Sequence, residues 1–150
     1  MEDAPTVHGS VVLVGARAIL IRGPAGSGKS RLALGLIRAA QAGHLRMARL
    51  VADDRVQLEA RHGRVLARPA PALAGLIEAH GVGIRRLPYE PVAVVGWVVD
   101  LATLDAQRLP EADRRETLIE GVTLPRLPVA VGENSLDMVL NWLGTDAASA

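Results

Sequence analysis

Two short apolar, β-branched runs, Val11-Val12-Leu13-Val14 and Ala18-Ile19-Leu20-Ile21, are split by Gly15-Ala16-Arg17. This pattern predicts a hairpin with a glycine in its loop. The second run leads straight into a glycine-rich turn over residues 23–28. Beyond it, apolar residues recur at Leu32, Leu36 and Ala39/Ala40, with Ala33 and Ile37 beside them. Their helical spacing predicts an amphipathic helix over 29–42, stopped at Gly43. The first third of the chain therefore reads strand, strand, loop, helix.

Leu50-Val51-Ala52 predicts a short buried strand that delivers Asp53-Asp54 at its carboxyl end. Residues 56–58 and 65–67, separated by a segment holding His62-Gly63, predict a second hairpin. Pro71 and Gly81 bracket residues 72–79, which read as a helix. Residues 92–101 lack alternation and are apolar on both faces, as in a central strand covered by helices. Polar, proline-interrupted residues 103–116 read as loop with a helical turn or two. Short strands are expected at 122–124 and 129–131, and a closing helix at 135–143. The expected organisation is a single domain over 1–144 with a frayed tail at 145–150.

Composition narrows the function. The chain has 150 residues, no cysteine and a formal net charge of +1. Disulfides, thiolate chemistry and cysteine-built metal sites are excluded. The small net charge gives no field that argues for nucleic acid. Aromatic residues make up 2% of the chain, so base stacking on exposed rings is not expected either. The amino terminus lacks the pattern of a signal peptide, and residues 92–99 are too short an apolar run to cross a bilayer. The expectation is a soluble protein of a reducing cytoplasm. One count stands out: of 17 basic residues, Lys29 is the only lysine.

Lys29 belongs to Gly23-Pro24-Ala25-Gly26-Ser27-Gly28-Lys29-Ser30, which satisfies G-x-x-x-x-G-K-[ST]. Small residues there let successive N–H groups turn inward around phosphate oxygens, and the following helix aims its positive end at them. Lys29 would reach the β/γ-phosphates, and the Ser30 hydroxyl would ligate Mg²⁺. An ammonium is a compact charge on a flexible stem, unlike the wide guanidinium used elsewhere in this chain. The loop alone says nucleotide and leaves the reaction open. Asp53 and Asp54, after an apolar strand, stand where a Walker-B carboxylate serves the Mg²⁺ shell. Two adjacent carboxylates can divide the work, one on the metal and one accepting a proton. By themselves they also fit a solvated turn.

Taken in order, His8-Gly9, the hairpin, the P-loop, Leu50-Val51-Ala52-Asp53-Asp54 and Ile77-Glu78-Ala79-His80-Gly81-Val82-Gly83-Ile84 resemble the catalytic domain of HPr kinase/phosphorylase. The resemblance runs from about residue 7 to residue 142. It implies an α/β P-loop kinase domain of the HPr kinase/phosphoenolpyruvate carboxykinase type, a mixed sheet with flanking helices, assembled as a homohexamer. It implies ATP and Mg²⁺ as cofactors and a serine of HPr, or of a related phosphocarrier of the phosphotransferase system, as acceptor. By position, Lys29 binds phosphate, Ser30 and Glu78 join Asp53 around Mg²⁺, Asp54 is the base, and His8 matches the active-site histidine. Arg108 matches a catalytic arginine that stabilises the phosphoryl group in flight. The chain also starts where that catalytic domain starts, which resembles the short proteobacterial form without the amino-terminal domain.

Two departures bear on activity. The family often has arginine where His80 stands. Its Pro-Val-Arg-x-Gly-Arg-Asn stretch, associated with the reverse reaction, reads here Pro128-Val129-Ala130-Val131-Gly132-Glu133-Asn134. Loss of two cations and gain of a carboxylate should repel inorganic phosphate. The expectation is kinase activity with weak or absent phosphorylase activity. Rival readings are a P-loop kinase or NTPase with another substrate, and a nucleotide-sensing module that transfers nothing.

Overall fold

The computed structural model describes residues 5–106 and 114–145. A short β1 (Val7–His8) leads through Gly9 into the hairpin of β2 (Ser10–Val14) and β3 (Arg17–Arg22). Gly15, at a φ of 66°, makes their tight connection. After the glycine-rich loop, α1 (Lys29–Gln41) buries Leu32, Ala33, Leu36 and Ile37. It ends as expected at Gly43: with φ of 86°, this residue lets the Gly43 and His44 N–H groups reach back to Ala40 and Ala39 carbonyls. Next come β4 (Ala48–Ala52) and a hairpin of β5 (Arg55–Arg61) and β6 (Arg64–Pro69), turned at His62-Gly63.

The helix expected over 72–79 does not form. A single 3-10 turn at Pro71–Leu73 is followed by β7 (Leu76–Ala79), paired antiparallel with β8 (Gly83–Arg86). Gly75, at a φ of 77°, separates turn from strand. Ile77 and Ala79 are buried and Glu78 between them is exposed, a period of two. A short apolar stretch does not by itself distinguish the two periods.

β9 (Ala93–Leu101) is the axis of the main sheet. It runs parallel to β3 on one side. On the other, its first residues pair with β6 and its last four with β11 (Val122–Val129). β11 is one continuous strand where two short ones were expected, and β10 (Glu116–Ile119) was not anticipated. Pro125 and Pro128 both lie within β11. β11 accommodates them because its first half pairs only with β10 and its second half only with β9, leaving one free edge in each half. α2 (Ser135–Gly144) closes the fold, with the Asn134 side chain accepting from the Asp137 N–H.

Two apolar layers hold the sheet. One face packs on α1, α2 and β7 through Ile19, Ile21, Leu36, Ile77 and Val99. The opposite face packs on β5, β6, β10 and β11 through Leu20, Val56, Val65, Val98 and Leu124. Thus β9 is apolar on both faces as expected, but helices cover only one; strands folding back over the sheet cover the other.

β2 is antiparallel to both β3 and β4, so β4, β3, β9 and β11 point the same way. Their carboxyl ends, together with the start of β2, lie along one edge. Such an edge is where open α/β sheets place ligands.

Candidate functional site

The loop of residues 23–30 leaves the end of β3 and enters α1. Gly26 and Gly28 hold φ values of 80° and 99°, which open the loop without steric cost. Gly23 is required for a different reason. A Cβ there would lie 2.5 Å from Ser27 Oγ and 3.1 Å from Leu101 Cβ. α1 begins with no acidic side chain in its first turn and no side-chain cap, so its leading N–H groups face the loop. Lys29 Nζ donates to the carbonyls of Gly23 at 2.8 Å and Pro24 at 3.1 Å, spanning the loop mouth.

Asp53 organises the corner beside the loop. It is buried, yet makes no ion pair among the described residues. Instead it accepts from Ser30 Oγ at 2.7 and 2.8 Å, from Ser10 Oγ at 2.6 Å and from the Glu78 N–H at 3.2 Å. An anionic oxygen pair without a cation, touching the P-loop hydroxyl, is a fitting donor set for Mg²⁺. That ion takes one or two carboxylates and completes its shell with phosphate and water. Among the described residues no group of three His, Cys, Asp or Glu side chains forms a closed cage. Glu78 is brought to this corner by its backbone, on β7.

Asp54, next in the chain, does the opposite: its side chain is 69% exposed. The Arg55 N–H bonds the Asp53 carbonyl at 2.8 Å, closing a γ-turn centred on Asp54 at a φ of 68°. Such turns are strained for residues other than glycine, and aspartate is among those that tolerate them. The turn swings the second carboxylate out of the buried corner. The Gly9 N–H bonds the Asp54 carbonyl at 3.1 Å, which places His8 Nδ1 4.0 Å from Asp54 Oδ1. Gly9 also packs tightly on β3, where a Cβ would lie 3.2 Å from the Ile21 carbonyl oxygen.

The fold thus gathers Lys29, Ser30, Asp53, Glu78, Asp54 and His8 at one edge. Arg108 lies outside the described residues. Sequence reasoning missed two sets of residues. Ser10, fully buried, orients Asp53; its only sequence signal is a hydroxyl at the head of an apolar strand. The other is a charged chain that runs from the ends of β3 and β9 to the middle of β11. Arg22 donates to both oxygens of Asp100 at 2.7 and 2.8 Å. Arg126 also donates to Asp100, to both oxygens of Asp105 and to the Arg114 carbonyl. The hydrogen bonds from Arg126 hold the Asp105 carboxyl below the usual carboxylate range, and Asp105 in turn raises the Arg126 guanidinium. Asp100 as the one charge within an apolar strand was the available signal.

The fold and this edge define an α/β P-loop domain with a buried aspartate on the loop's serine. Comparisons with known proteins are more particular. The family described as HPr Serine kinase C-terminal domain matches residues 1–88, and the chain belongs to that family. The HPr kinase/phosphorylase of Limosilactobacillus reuteri (strain DSM 20016) is 36% identical over 142 residues, covering 86% of this chain and 42% of that protein. That of Streptococcus sanguinis (strain SK36) is 35% identical over 147 residues, covering 89% and 45%. The chain therefore spans less than half the length of these relatives. The solved structure of the Hpr(Ser) kinase/phosphatase from Coxiella burnetii shares the fold, with a TM-score of 0.72 at 23% identity over 93% of this chain and 88% of that one.

Proposed function

We propose that this domain transfers the γ-phosphoryl group of ATP to a serine hydroxyl of an HPr-like phosphocarrier protein. The observation that carries this reading is the division of the acidic pair: Asp53 is buried on Ser30, while Asp54 is exposed beside His8. A pure nucleotide binder has no use for the second, outward carboxylate. A protein substrate can reach it.

The loop amides and Lys29 hold the triphosphate, which confines the γ-phosphorus next to Asp54. Bound Mg²⁺ would neutralise phosphate charge, held by Asp53 and Ser30 with Glu78 nearby. Asp54 accepts the serine proton as the hydroxyl attacks. His8, 4.0 Å from Asp54, orients that carboxylate or shares its proton. Arg108 is assigned the charge that develops on the transferred group. Little covalent work is left to the protein, so positioning and charge supply most of the rate.

The same proposal covers direction and setting. Ala130 and Glu133 leave inorganic phosphate without cationic partners in that stretch, so the phosphorylase reaction should be weak or absent. A cytoplasmic homohexamer is the assembly in view. Val82 and Ile84, 65% and 64% exposed beside β7 and on β8, provide apolar surface for contacts between copies. No helix among the described residues is long and apolar enough to cross a membrane.

The test uses purified protein, Mg·ATP and candidate phosphocarriers, with the phosphorylated residue mapped by mass spectrometry. Phosphoserine on a carrier is the expected result. Asp54→Asn keeps the side-chain shape and tolerates the positive φ, so it should bind ATP and fold normally. Its transfer rate should fall about 10²–10⁴-fold, the usual worth of a general base. Undiminished transfer would remove Asp54 from that role.

A further inference from the structure

The Arg22–Asp100–Arg126–Asp105 chain runs from β3 through β9 to β11, away from β4 and Asp53 in the order of strands. It is costly to fold, because the Arg126 and Asp100 side chains are only 12% and 11% exposed. Apolar residues of similar volume often serve a protein interior as well as a buried ion pair, or better. What the four charges add is one fixed geometry, and Arg126 sets it. Its Nη1 donates to Asp105 at 2.7 Å and to the Arg114 carbonyl at 3.0 Å, its Nη2 donates to Asp105 at 3.1 Å, and its Nε donates to Asp100. Its backbone N–H bonds the Arg115 carbonyl at 2.7 Å.

Resting on the kinase reading above, we propose that Arg126 is a positioning residue for phosphoryl transfer, the clamp that holds Asp105 and Arg114 in fixed relation to the phosphate loop. These two residues flank, in sequence, the stretch 107–113 that includes Arg108. One nitrogen thus ties both flanks of the stretch to which the developing charge is assigned. The other end of the chain reaches the loop. Asp100 accepts two hydrogen bonds from Arg22, which stands directly before Gly23. Leu101, directly after Asp100, is the β9 residue packed on Gly23. Flanks and loop therefore share one connection of alternating charges, and a shift at Arg126 moves one against the other.

Arginine is the residue this task requires. A guanidinium offers its N–H donors in a rigid planar fork, and four of them are engaged here. An ammonium is a point charge on a flexible stem and cannot bridge two carboxylates and a carbonyl in one fixed arrangement. Phosphoryl transfer depends on placement far more than on covalent help from the protein. A misplacement of about 1 Å by a change remote from the chemistry can cost about 10²-fold in rate.

The experiment follows single-turnover formation of phosphoserine on the carrier with Mg·ATP, so that slow variants stay readable. It compares Arg126→Lys and Asp105→Asn, each alone and each combined with Arg108→Ala. Asp105→Asn leaves the Arg126–Asp100 pair in place and serves where Arg126→Lys fails to fold, with circular dichroism at the assay temperature as the check. Each of the two alone should lower the maximal rate about 10- to 100-fold with the half-saturating ATP concentration unchanged. Neither should lower it further once residue 108 is alanine. Losses that multiply with that of Arg108→Ala, or a loss confined to the half-saturating ATP concentration, would assign Arg126 to stability or to nucleotide binding and overturn the proposal. Undiminished maximal rates in the single variants, Arg108→Ala included, would overturn it as well while leaving the kinase reading standing. A wild type that forms no phosphoserine on any carrier would sink both.

Discussion

Lys29 is where a charge-conserving substitution should do the most damage. Its ammonium fits between the Gly23 and Pro24 carbonyls at 2.8 and 3.1 Å, a pocket for a compact donor. A guanidinium is wider, planar and fixed in its fork. Lys29→Arg should therefore lower phosphoryl transfer roughly 10²–10³-fold, the scale of losing one preorganised charge-stabilising donor. Circular dichroism and melting should be unchanged, and near-normal transfer would return the lone lysine to composition. The neighbouring aspartates illustrate how far residue identity can be read in advance. That Asp53 and Asp54 can divide two tasks follows from adjacency. Which one is buried depends on Ser10, 43 residues away, and on a γ-turn that no local pattern announces.

At the scale of elements, the phosphate loop is a strand-to-helix joint under tight packing. Gly23→Ala introduces a Cβ 2.5 Å from Ser27 Oγ and 3.1 Å from Leu101 Cβ, and the latter belongs to β9. The hydroxyl can rotate, but the strand cannot yield cheaply. Expected effects are a loss of about 1–3 kcal/mol in urea unfolding, the usual cost of overpacking, and a larger loss of nucleotide affinity. Unchanged ATP binding would show that the loop tolerates the shift. Elements with strong local signals were legible: both hairpins, α1 with its Gly43 stop, β4, β9 and α2. β7 was misread because a few apolar residues fit either period until their neighbours are known. β10 and the unbroken β11 escaped because proline is allowed only where an edge is free, and edges are a property of the assembled sheet.

Across the whole molecule, the Arg22–Asp100–Arg126–Asp105 chain joins β3, β9 and β11 beneath the site. The carboxyl of Asp105 is lowered in the folded protein chiefly by hydrogen bonding to Arg126. A depressed folded-state pKa contributes stability that is present above the unfolded value, about 3.9 for aspartate, and is lost as pH falls through the folded value. Asp105→Asn should thus destabilise by roughly 1–3 kcal/mol near pH 7, as for hydrogen bonds to charged groups. The gap between wild type and variant should close as pH drops below about 4. A gap independent of pH across that range would assign the loss to packing alone.

The sequence by itself determined the phosphate loop, the helix behind it, the acidic pair and the family, because each is written in adjacent residues whose spacing has a mechanical reason. Tertiary structure alone decided that four parallel strands end at one edge. It likewise decided that Ser10 and Glu78 meet at Asp53 and that His8 faces Asp54. Those facts depend on pairings between residues distant in the chain, chosen by which faces the sheet can bury. Local periodicity records that a face is apolar; only packing settles what covers it.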